Sequence, residues 1–118
     1  MKPEEVKTLF KETIEEMKLE GITLRLVPMK RKIASFSFRT KTLRLNRWVI
    51  ETLDPEIVKY IILHELVHFK LNDVNHGKEF LEEFGKFYTA EDTKRIETKL
   101  IRKLISTRIL KTTISSNL

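Results

Sequence analysis

The chain has 118 residues, enough for one domain with one hydrophobic core. Its composition, 41% apolar and 34% charged, excludes a disordered chain, and the absence of cysteine excludes disulfides, cysteine metal sites and a thiol nucleophile. No apolar run approaches a membrane span and Met1–Gly21 lacks a signal-peptide core, so a cytoplasmic location without membrane attachment is expected. The net charge of +6 is uneven: residues 22–51 carry 8 basic side chains and 1 acidic one, and residues 91–118 carry 7 and 3. A basic sheet could hold nucleic acid, but no motif here reads bases. A solvated charged face is the favoured explanation, and nucleic acid the less favoured partner.

Residues 3–20 predict an amphipathic helix, with Pro3 in its first turn, Gly21 as its stop, and Val6, Leu9, Phe10, Thr13, Ile14 and Met17 as its buried stripe. Alternation predicts a strand over Ile22–Val27, a second over Ile33–Phe38 and a third over Thr42–Asn46, the last two joined by a short hairpin link at Arg39–Lys41. Arg47–Leu53 reads as connecting chain with Trp48 anchored in the core. Asp54-Pro55 opens a helix to about Leu71, where Asn72-Asp73 breaks it. Asn75 suits the cap of a helix running to Tyr88, with Phe80, Leu81, Phe84 and Phe87 buried. Thr89 and Asp92 form a capping-box variant that opens a last helix over about 91–111. That helix carries two apolar rows, Ile96, Leu100, Leu104 and Leu110 on one side and Ile101, Ile105 and Ile109 on the other. Two rows suggest two partners, so the helix is expected to restrain the site and to offer a homodimer surface. The expected division is a catalytic unit over 1–90 and a regulatory helix and tail over 91–118.

The second predicted helix holds His64-Glu65-Leu66-Val67-His68. Residues four apart share a helical face, so His64 and His68 can aim their rings at one metal ion. Glu65, one step round, can reach a water on that ion and act as general base. The surrounding residues are apolar nearly all round, and two histidines and a glutamate in a buried helix are costly unless something satisfies them. The plainer alternative is two core histidines bonded to backbone. The remaining histidine, His76, lies just past a helix break, beside Gly77, and is the leading third ligand. Glu79, Glu82 and Glu83 are the runners-up. The metzincin pattern is excluded, because Leu71 and Val74 stand where it needs Gly and His.

From Lys32 to Phe84 the chain resembles the minigluzincins, small metallopeptidases of the gluzincin type. Asn75-His76-Gly77-Lys78-Glu79-Phe80 is also similar to the Asn-His-x-x-x-Phe of SprT-like and WLM peptidases. The resemblance implies an α+β fold, a small zincin-like domain with an N-terminal helix, a three-stranded twisted sheet, a metal-binding helix and two further C-terminal helices. It also implies a catalytic zinc held by His64, His68 and His76, and hydrolysis of peptide or protein substrates with Glu65 as base. It further implies an edge strand 33–38 that holds substrate at Ala34, Ser35 and Phe36, and latency through the C-terminal segment. The competing readings are a DNA-associated protease and a non-catalytic zinc-stabilised module. Tyr60, Tyr88 and Asn75 all stand as candidate oxyanion donors.

Overall fold

The computed structural model describes residues 1–107 in the order α1 (Pro3–Glu16), β1 (Thr23–Val27), β2 (Ala34–Ser37), β3 (Thr42–Asn46), α2 (Arg47–Ile50), α3 (Pro55–Leu71), α4 (Lys78–Phe84) and α5 (Ala90–Thr107). This is the expected α+β arrangement, with one short helix, α2, added. Among the described residues no helix is long and apolar enough to cross a membrane.

The sheet order is β1-β3-β2, with β1 parallel and β2 antiparallel to β3. The chain therefore leaves β1, builds the edge at β2 and returns through a hairpin to fill the centre. Register pairs Leu24 with Leu43 and Leu26 with Leu45 across one interface, and Ala34 with Leu45 and Phe36 with Leu43 across the other. These side chains share one face, while the alternate positions Arg25 and Arg44 point to solvent. The inner face needs cover, and α3 supplies it. Eleven of its seventeen residues, from Ile57 to His68, are buried, and α1, α4, α5 and β2 all pack on it. An all-round apolar sequence thus becomes the central helix of the domain.

Several boundaries differ from the sequence reading. The first helix stops at Glu16, four residues early, because Lys18 adopts a left-handed backbone at φ 57°. The Leu19 amide then donates to the Ile14 carbonyl at 2.9 Å and the Lys18 amide to that of Glu15 at 3.1 Å, the double closure of a Schellman motif. Gly21 has a positive φ, but in the turn beyond.

Trp48 is not a core anchor. It is 50% exposed, and Val49 and Ile50 take the buried positions instead. The cause is Asn46, whose side-chain oxygen accepts from the Trp48 amide at 3.1 Å and starts the single turn α2. The Asn46 amide group also donates to the carbonyls of Met29 and Lys32, at 2.9 and 2.8 Å, and so ties down the loop before β2.

Asp54 precedes α3 without a side-chain capping bond, and Gly77, not Asn75, sits at the cap position of α4. That helix is a short seven residues. Phe80 and Phe84 are buried, but Leu81 is 64% exposed. The α5 capping box forms as read, with Asp92 N–H to Thr89 Oγ1 at 3.0 Å and Thr89 N–H to Asp92 Oδ2 at 3.4 Å. Its first apolar row, Ile96, Leu100 and Leu104, is fully buried in the chain's own core, while Ile101 and Ile105 of the second remain exposed. Leu110, Ile109 and the expected helix end at 111 lie outside the described residues.

Candidate metal centre

The α3 repeat sets His64 and His68 one turn apart on one face, and the turn after α3 brings His76 to them. Asn72 takes a left-handed backbone at φ 51°, which lets the Asp73 amide reach back to the His68 carbonyl at 3.2 Å. The Asp73 carbonyl faces His68 Nδ1 at 2.9 Å. A carbonyl only accepts, so Nδ1 carries the proton and Nε2 of the neutral ring presents a lone pair. The Asp73 side chain then accepts from the Asn75 amide at 2.9 Å, and the next residue is His76.

The three Nε2 atoms form a small triangle: His64 to His76 3.0 Å, His68 to His76 3.1 Å, and His64 to His68 3.3 Å. A tetrahedral ion with metal–nitrogen bonds of about 2.0–2.1 Å needs ligands about 3.3–3.4 Å apart. The triangle is close to that size, and it forms the one cluster of histidine, cysteine or carboxylate donors of metal-holding geometry among the described residues. Burial holds His68 below the usual imidazole range, against the hydrogen bond to Asp73 that favours its charged form. A neutral imidazole is what a metal requires. Phe80 fixes the three rings together, stacked on His68 at 4.6 Å and edge-on to His64 and His76 at 4.9 Å each.

Glu65, next to His64 in the chain, is buried, with only 7% of its surface exposed. Burial pushes its carboxyl up to about 7, and the positive charge of Lys32 pulls the other way. A carboxylate near 7 is suited to taking and giving a proton at neutral pH. The glutamates considered as alternative ligands are engaged or remote. Glu83 pairs with Lys70 and, at 2.9 Å, with Lys86, Glu82 sits 3.9 Å from Lys78, and Glu79 is exposed.

β2 is an edge of the sheet, as expected, and Phe36 stacks on Phe69 of α3 at 5.0 Å, which fixes that edge to the helix bearing His64 and His68. Ala34 points into the core, and Ser35 and Phe36 are partly exposed. Of the three oxyanion candidates, Tyr60 spends its hydroxyl on Glu97 at 2.6 Å. Tyr88 is held protonated, pushed up to about 12 by burial and then by nearby carboxylates. Asn75 is exposed.

Asn72, Asp73 and Lys32 carry roles that the sequence reading did not assign. Asn is among the few residues that adopt a left-handed backbone readily, so Asn72 carried a usable signal. Lys32 carried none.

An HExxH helix, a third histidine and an edge strand fixed to that helix define a metallopeptidase of small α+β type. The chain belongs to the family of the YgjP-like metallopeptidase domain, which it matches over residues 2–103, and it is accordingly a hydrolase. It is similar to the crystal structure of the metallopeptidase zymogen of Methanocaldococcus jannaschii jannalysin, at 46% identity and a TM-score of 0.80 over 84% of this chain and 96% of that one. The metallopeptidase zymogen of Pyrococcus abyssi abylysin is similar at 31% identity and a TM-score of 0.76, over 84% and 94%. An uncharacterised protein of M. jannaschii is 46% identical over 110 residues, 89% of this chain and all of that relative.

Proposed function

We propose that the chain is a zinc metallopeptidase in which His64, His68 and His76 hold the ion and Glu65 is the general base. The observation that carries this reading is the convergence of three Nε2 atoms within 3.0–3.3 Å of one another, with the buried Glu65 next to His64 in the chain. When bound, zinc supplies Lewis-acid activation of water and of the scissile carbonyl. Glu65 takes the water's proton and delivers it to the leaving amine. The β2 edge at Ala34, Ser35 and Phe36 pairs with an extended substrate backbone, which gives affinity with little sequence preference. The groups that do chemistry all fall within residues 1–90, and the segment from 91 onward restrains them. Two observations favour this latency: α5 bonds to Tyr60, one turn before His64, through Glu97, and both structural relatives are named as zymogens.

The test is metal content together with cleavage. Wild type should carry one zinc per chain. His64→Ala and His68→Ala should lose it, and His76→Ala should hold it weakly. Glu65→Gln should keep zinc and lose cleavage of an unfolded protein. Full zinc in all three histidine variants would end the assignment. For latency, Arg95→Ala/Glu97→Ala, which breaks the α5 contacts of Arg95 with Glu56 and of Glu97 with Tyr60, should cleave faster than wild type. An unchanged rate in a folded, zinc-loaded double variant would remove the proposed restraint.

A further inference from the structure

We propose that the outer face of the sheet is a binding surface for single-stranded nucleic acid, which Arg25 and Arg44 hold by its phosphates and Trp48 by a stacked base. The proposal stands apart from the peptidase reading, because α3, which bears His64 and His68, packs on the opposite face of the sheet.

Strand order builds this face. Alternation puts Thr23, Arg25, Thr42, Arg44, Ser35 and Ser37 on the side away from the leucines. Register aligns them in two rows across the sheet, Arg25–Arg44–Ser35 and Thr23–Thr42–Ser37. Arg25 and Arg44 are thus direct neighbours on adjacent strands, and both are exposed. Like charges directly opposite one another destabilise a sheet. A carboxylate beside them would offset that cost, yet the salt bridges among the described residues take every cation from outside residues 22–51. That segment carries 8 basic side chains and 1 acidic one, Glu51. Residues 108–118 contain Arg108 and Lys111 and no acidic side chain, so they cannot neutralise the pair. A surface made only for solubility intersperses both signs. This one leaves a single sign unopposed, and its complement is a polyanion.

Cations follow β3 from end to end. Lys41 precedes it, Arg44 is at its centre and Arg47 follows it, all three exposed. At about 3.3 Å per residue the line is about 20 Å long, a track for a phosphodiester backbone. At its far end Trp48 is 50% exposed beside Arg47 in the chain and offers an aromatic face to a base. The buried Asn46 fixes that end. Its oxygen accepts from the Trp48 amide at 3.1 Å, and its amide group donates to the carbonyls of Met29 and Lys32, which anchors the loop carrying the exposed Lys30. A lipid surface would need apolar side chains to insert. The rows around the arginines carry threonine and serine hydroxyls instead, which suit phosphate and sugar oxygens. A duplex keeps its bases stacked on one another and leaves Trp48 without a partner, so a single strand is the better fit.

The experiment follows the fluorescence anisotropy of a labelled oligothymidylate added to the full chain at about 50 and about 200 mM salt, with and without chelator. About four phosphate contacts, each contributing a slope of about −0.7, should weaken binding roughly 50-fold over that range. Arg25→Gln/Arg44→Gln should weaken binding and reduce the slope by about 1.4. Trp48→Ala should weaken it about 5- to 150-fold with the slope unchanged. Lys7→Gln/Lys11→Gln removes the same charge from exposed positions on α1 and should bind as wild type does. Every substituted side chain is exposed, so the variants should fold, and thermal melts check that they do. Chelator should change none of these results, which keeps them separate from the metal assignment. Absence of binding at the lower salt would overturn the proposal, as would an equal loss from the α1 substitutions or a Trp48→Ala variant that binds like wild type. Binding to anionic vesicles with no binding to the oligonucleotide would also overturn it, by making a lipid headgroup the occupant. So would a doubled mass in sedimentation that Arg25→Gln/Arg44→Gln returns to one chain, which would make an acidic face of a second copy the occupant.

Discussion

Asn72 holds the site together from outside it, and replacing it separates backbone strain from coordination. At φ 51° and ψ 43° it occupies the left-handed region, which costs an ordinary L-residue about 1–2 kcal/mol and a β-branched one at least that. Asn72→Val should therefore destabilise the metal-free protein by about 1–2 kcal/mol. For a chain of this length that lowers the melting temperature by about 4–8 °C. The same turn places the Asp73 carbonyl 2.9 Å from His68 Nδ1 and leads to His76. Loss of such an orienting partner typically weakens metal affinity by about 10–100-fold. Asn72→Gly keeps the backbone conformation accessible and should bind zinc as wild type does. Thermal melts in chelator give the strain, and competition with a chromophoric chelator gives the affinity. A valine variant that melts with wild type would refute the strain argument. One that is destabilised but binds zinc normally would refute the claim that the turn orients the ligands.

Glu65→Gln should retain zinc and lose about a hundred- to ten-thousand-fold in cleavage rate, since an amide cannot accept the water's proton; wild-type cleavage would remove the assigned role. Lys70 first, and then Lys86, hold the Glu83 carboxyl below the ordinary glutamate value of 4.5. A depressed folded-state value stabilises the fold above pH 4.5, and the contribution is lost as pH falls from there through the lowered value. The stability gap between wild type and Glu83→Gln in chelator should thus narrow on acidification below that point, and a constant gap would refute the assignment. Trp48→Ala should cost less than about 1 kcal/mol and Val49→Ala about 2 kcal/mol, measured by urea unfolding. The reverse order would restore Trp48 as the core anchor.

The pairing of His64 with His68 was legible in the sequence because it rests on helical periodicity. A spacing of four fixes two rings on one face without help from the rest of the fold, and the all-apolar context of α3 marked it as central. Strand positions followed from alternation, including the small residues at the β2 edge. Strand order did not, because nothing local tells Leu43 that it pairs with both Leu24 and Phe36. The end of the first helix was read from Gly21, yet Lys18 took the left-handed position, whereas Asn72 ended α3 where it was read. Trp48 misled by its size: a side-chain cap from Asn46 set the phase of α2, and phase decided which residue faced inward.

The two rows of α5 constrain how a restraint on the site could be released. Ile96, Leu100 and Leu104 are each no more than 1% exposed. Losing a buried aliphatic side chain of this kind costs about 2–5 kcal/mol, and a whole domain is stable by only about 5–15 kcal/mol. Truncation after Ala90 removes all three, so it threatens the fold before it informs on activity. The proposed division at residue 90 separates chemical roles only, because the buried row of α5 carries the core across it. The outer contacts are of a different kind. Arg95 reaches Glu56 at 2.7 Å across an ion pair nearly half exposed on each side, and Glu97 is exposed where it accepts from Tyr60. An exposed ion pair is worth about 0–1 kcal/mol, so thermal motion or a competing partner can open it. Under the proposed latency, release would come from slackening the polar contacts of α5 with Glu56 and Tyr60 while the inner row stays seated. Substitution at Arg95 and Glu97 therefore tests the restraint where removal of the helix cannot.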